Sequence, residues 1–120
     1  MKTVLGENKY VVAERGSLTF EDGPTRVTVN SDQFFHKLKD LDEKVHYTLR
    51  HPETKTHFVH GACIEVVIDH ETKEPLIKIR DSDGNEVVLG IGNWQELILN
   101  VEDIHLNSSY TIIDFLRQVL

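Results

Sequence analysis

The sequence predicts one α+β domain spanning residues 1–120: an antiparallel, hairpin-rich sheet of about seven to nine strands with two short helices, one near 31–43 and one near 108–120. Three observations carry this. Short β-prone runs recur between clusters of turn residues. Helical apolar spacing shows in only two places, around Phe34–Leu41 and Ile112–Val119. Strands and helices do not alternate regularly, which disfavours a parallel sheet. At 120 residues, 39% hydrophobic and 28% charged, the chain has the size and composition of a single globular domain.

Residues 1–30 read as a meander. Tyr10–Ala13, Leu18–Phe20 and Arg26–Val29 are the strand runs, separated by Gly6-Glu7-Asn8, Arg15-Gly16-Ser17 and Glu21-Asp22-Gly23-Pro24. Asn, Asp and Gly suit hairpin turns because they tolerate positive φ. The first helix follows, with Asn30 or Ser31 as cap and Phe34, Leu38 and Leu41 on one face. Val45, Tyr47 and Leu49 then alternate with His46, Thr48 and Arg50, the pattern of a half-buried strand. Thr56–Asp69 is the longest β run and is apolar on both faces, so it is placed at the centre of the sheet. Leu76–Arg80 and Val87–Ile91 flank Asp81-Ser82-Asp83-Gly84-Asn85, a strong hairpin signal. Trp94–Leu106 reads as one bent strand or two short ones. Ile112, Phe115, Leu116 and Val119 make the stripe of the terminal helix. No linker, repeat or low-complexity segment is legible.

Chemistry-bearing motifs are sparse. Cys63 is the single cysteine, so no internal disulfide and no cysteine-based zinc site is expected. Of the seven histidines, the closest pair is His57 and His60, which a strand would send to opposite faces. No metal or cofactor is expected. Asp81–Glu86 opens like a calcium loop, but glycine stands fourth instead of sixth and position twelve is Gly92 in place of Glu, so a hairpin explains it better. Gly90-Ile91-Gly92 lacks the third glycine and the helix of a dinucleotide loop.

Charge narrows the function classes. The net charge is −7. Residues 1–60 carry nine basic and nine acidic side chains, whereas 61–120 carry four and eleven. Phosphate backbones need a positive surface, so direct nucleic-acid binding is not expected. No apolar run approaches a membrane span, and the start, Met1–Glu7, lacks the apolar core of a signal peptide, so a cytoplasmic protein is expected.

Three functional readings follow. The first is a non-enzymatic interaction module that binds a protein partner stoichiometrically, as inhibitor or immunity proteins do, with a basic partner favoured by opposite charge. Its surface would include Glu102 and Asp103 together with Phe115, Val119 and Leu120. The second is a self-associating protein that binds or sequesters a small anionic ligand such as a nucleotide. Arg15, Arg26 and Arg50, with Tyr47 and Trp94 as stacking faces, would form its clamp. The third is a hydrolase using histidine and carboxylate as acid and base, drawing on His57, His60 or His105.

Overall fold

A computed structural model describes residues 1–51, 56–60 and 62–108, the backbone alone over 56–60. Strands β1 (Lys2–Gly6), β2 (Lys9–Glu14), β3 (Ser17–Asp22) and β4 (Thr25–Asn30) form a four-stranded antiparallel meander in sequence order. Each of its three turns places one residue in the left-handed region, Asn8 (φ 57°), Gly16 (φ 84°) and Gly23 (φ 57°), as two-residue hairpins require. Strict alternation follows, with Val11, Ala13, Leu18, Phe20, Val27 and Val29 buried on one face. On the other face Glu21 lies between two bases, with its Oε1 3.4 Å from Lys2 Nζ and its Oε2 3.5 Å from Arg26 Nε, while Lys9 Nζ meets Asp22 Oδ2 at 2.6 Å at the edge of the buried face.

Helix α1 runs from Ser31 to Arg50, seven residues beyond the predicted end at 43. Asn30 Oδ1 accepts the Gln33 N–H at 2.9 Å and caps it. The predicted strand over 45–50 is therefore helical. Phe34, Leu41, Val45 and Thr48 are buried, and their spacing, with half-buried Leu38 between, continues one helical face. Tyr47 and Leu49, which suggested alternation with Val45, are 45% and 43% exposed. No glycine or proline interrupts 31–51, and Pro52 is the first residue in the sequence that forces a stop.

Thr48 Oγ1 is buried without a hydrogen-bond partner among the described residues. A buried hydroxyl left unpaired costs about 1–3 kcal/mol. Thr48→Val, which keeps the shape and removes the orphan, is expected to raise stability by about 1 kcal/mol in urea unfolding. A loss of stability instead would mean that the hydroxyl is satisfied.

The second sheet contains β5 (Thr56–His60), β6 (Ala62–Ile68), β7 (Pro75–Arg80) and β8 (Glu86–Leu89), again in sequence order. The predicted long strand 56–69 is thus two strands. His60 pairs with Ala62 and Phe58 with Ile64, so β5 and β6 run antiparallel within that stretch. The placement at the sheet's interior holds for β6, which lies between β5 and β7 and buries Ala62, Ile64, Val66 and Ile68. At the β7–β8 turn, Asp81 Oδ1 accepts the N–H groups of Asp83 and Asn85 at 3.0 and 2.9 Å, and Oδ2 accepts Asn85 Nδ2 at 3.1 Å. The Asn85 side chain, above all, holds this carboxyl below its ordinary pKa. The turn itself engages both Asp81 carboxylate oxygens, the first of those that resembled calcium ligands.

Residues 91–108 form two helices, α2 (Ile91–Leu99) and α3 (Val101–Ser108), where strand was predicted over 94–106. Trp94 and Leu97, three apart on α2, are buried, and so is Ile104 on α3. Leu99 broke that pattern in the sequence by alternating with Leu97 and Val101, yet it is 79% exposed. The predicted terminal helix near 108–120 lies outside the described residues except for Ser108, which ends α3.

The hairpin-rich antiparallel prediction holds for all eight described strands, but they are divided into two sheets instead of one. The element order repeats: a four-strand meander followed by a helix, twice. Each helix packs on the other half's sheet. α1 lies on β5, β6 and β7, while α2 lies on β1 and α3 on β2. Strands β4 and β8 abut without sharing a ladder. The correspondence reaches single residues. Asn30 caps α1 and Gly90 caps α2, and four positions later Phe34 and Trp94 are each 1% exposed. One buried cluster joins both sheets and all three helices.

The closure is made where α3 meets the start of α1. The Ser108 carbonyl accepts the Gly16 N–H at 2.7 Å and the Ser31 hydroxyl at 2.9 Å. The His105 ring rests 4.5 Å from that of Phe35.

Candidate functional site

Where α1 and α2 run side by side, a pocket of about 370 Å³ opens between them. Asp42 and His46 of α1 line it, with Ile91, Trp94, Gln95, Ile98 and Leu99 of α2. The α2 wall is thus apolar except for Gln95, and the ionisable groups lie on the α1 side. Its size falls at the low end of small-ligand pockets, roughly 300–1,000 Å³.

Helical spacing sets up this site. Asp42 and His46 are four residues apart on α1, hence on one face. Trp94, Ile98 and Ile91 share one face of α2 for the same reason. Trp94 donates its indole N–H to Asp42 Oδ1 at 2.9 Å. This bond gives the buried ring its polar partner and fixes the carboxylate at the pocket wall. His46 Nε2 lies 3.5 Å from the same oxygen, and its side chain is 62% exposed. That contact is long and screened by water, so it holds His46 weakly.

Among the described residues, no hydroxyl, thiol, arginine or lysine side chain lines the pocket. A carboxylate among apolar walls recognises cations and apolar groups and repels anions. Among the described residues, no three histidine, cysteine, aspartate or glutamate side chains gather as a metal site.

The three predicted clamp arginines fall on separate elements, and only Tyr47 shares one with any of them, Arg50 on α1. Arg15 is exposed in the β2–β3 turn, Arg26 on β4 beside Glu21, and Arg50 at the end of α1. Tyr47 is exposed on α1, with its ring 4.4 Å from that of His51. Trp94 alone of the five lines the pocket, as a core ring with one edge on the cavity. Glu102 and Asp103 are exposed in the first turn of α3. Phe115, Val119 and Leu120 lie outside the described residues, as do the side chains of His57 and His60.

Sequence reasoning missed Asp42, His46, Ile91, Gln95, Ile98 and Leu99. The i,i+4 pair of Asp42 and His46 was visible in principle, but only to a reader who carried the helix past 43. No helix among the described residues is long and apolar enough to cross a membrane. No known protein family, curated protein or solved structure matches the chain.

Proposed function

We propose that the protein is a non-enzymatic binding module that docks a basic protein partner on the face formed by α1, α2 and α3. The observation that carries this reading is Leu99, 79% exposed at the mouth of an apolar pocket. Leu106 on α3 is exposed by 63% as well. Leucines this exposed, beside a preformed cavity, suit the buried centre of an interface. The charge around them is one-sided: residues 91–108 contain Glu96, Glu102 and Asp103 and neither lysine nor arginine. Opposite charge would steer the partner and fix its orientation, while the apolar contacts would hold it.

The test places a charge at each of the two exposed leucines. Leu99→Glu with Leu106→Glu alters only exposed positions, so circular dichroism and unfolding should match the parent within about 0.5 kcal/mol. A partner recovered from the native cells at physiological salt with the parent chain should be lost with the double variant. Recovery of no partner by the parent chain, or undiminished recovery by the variant, would overturn the proposal.

A further inference from the structure

Resting on that docking reading, we infer that the α1–α2 pocket receives a lysine side chain of the partner. Its aliphatic stem would lie along Ile91, Trp94 and Ile98, with its ammonium on Asp42.

The chemistry of the walls selects this occupant. The cavity is apolar except at Asp42, His46 and Gln95. A long apolar stem ending in a charge matches such a cavity better than a wholly apolar or wholly polar group does. The Asp42 carboxylate is held in place by the Trp94 indole N–H at 2.9 Å, so it meets a cation without first being ordered. His46 is a weak competitor, at 3.5 Å with a 62% exposed side chain. Among the described residues, no lysine or arginine lines the pocket to fill the role internally.

Lysine is favoured over arginine by the state of the carboxylate. A guanidinium gains its advantage by engaging both oxygens with two parallel N–H groups. Oδ1 of Asp42 already accepts from Trp94 and faces His46. A compact ammonium needs one acceptor direction and loses nothing by this.

Trp94 is the only tryptophan, so its indole N–H resonance is a single, local reporter. The experiment titrates the full chain with n-hexylammonium, n-hexylguanidinium and 1-hexanol and follows that resonance. An ion pair at a partly exposed carboxylate corresponds to about a twofold to fivefold gain. The ammonium should therefore bind about that much more tightly than the alcohol, and more tightly than the guanidinium. Asp42→Asn, whose amide oxygen still accepts the indole N–H, should erase the preference, while His46→Ala should keep it. Equal binding of ammonium and alcohol, or a preference that survives Asp42→Asn, would overturn the inference. A guanidinium preference would overturn the choice of lysine. The partner-recovery test with Leu99 and Leu106 reads the docking face independently, so either idea can fail while the other stands.

Discussion

Phe34→Ala is expected to destabilise the protein by about 3–5 kcal/mol, the usual cost of emptying a buried phenylalanine site. Phe34 is 1% exposed and its ring centroid lies 5.5 Å from those of both Phe20 and Phe35. It enters the core in the first turn of α1, where the helix leaves the first sheet to cross to the second. The void would therefore open where β3, β4 and α1 meet, against strands already committed to their own ladders. Such a site collapses poorly, which places the loss toward the upper end of that range. A domain of this kind holds about 5–15 kcal/mol in total, so the variant should be largely unfolded at a urea concentration the parent withstands. Leu99→Ala is the control, at under about 0.5 kcal/mol because the side chain is already in water. A Phe34 loss as small as the Leu99 loss would show that the two sheets do not share the core described above.

The second large effect is expected at Asn93, which clamps the start of α2 to β1. Its Oδ1 accepts the Gly90 N–H at 2.9 Å, and its Nδ2 donates to the Leu5 carbonyl at 2.9 Å. Asn93→Ala strands both backbone groups, for about 2–3 kcal/mol. Gly6 is bound into the same unit. A β-carbon at Gly6 would collide with Asn93 Nδ2, and that amide, pinned at both ends, cannot swing aside without breaking a bond. Gly6→Ala should therefore cost a comparable amount. The double variant should be no less stable than the worse single one, because both changes remove the same clamp. Additive losses in a double-mutant cycle would show that the two sites act separately.

Where the sequence was read correctly, local chemistry decides the structure. The first meander is legible because Asn8, Gly16 and Gly23 sit at the turns and apolar residues alternate between them. The Asp81–Asn85 hairpin is legible for the same reason. The misread segments share a different property, apolar residues at both spacings at once. Val45, Tyr47 and Leu49 offer a strand and Leu41, Val45 and Thr48 a helix. Which set is buried depends on what packs against it, and that is a sheet built from residues after 55. Leu97, Leu99 and Val101 pose the same ambiguity, and contact of α2 with β1, some ninety residues earlier in the chain, resolves it. The pocket inherited this uncertainty because it lies between the two misread helices. The arginines drew attention because they lie near strand ends or turns, but spacing along the chain could not show that they stand on separate elements.

The exchanged packing of helices has a consequence for how the molecule comes apart. The first meander alone would bare the face that α2 and α3 cover, and α1 would keep Phe34 on Phe20 but carry the rest of its apolar stripe into water. The second meander would lose the helix that lies across three of its strands. Neither half owns a finished interior, so neither can serve as a stable stage on the way to the whole. Loss of order in one half withdraws the lid from the other, and the molecule unfolds as a unit despite its twofold plan.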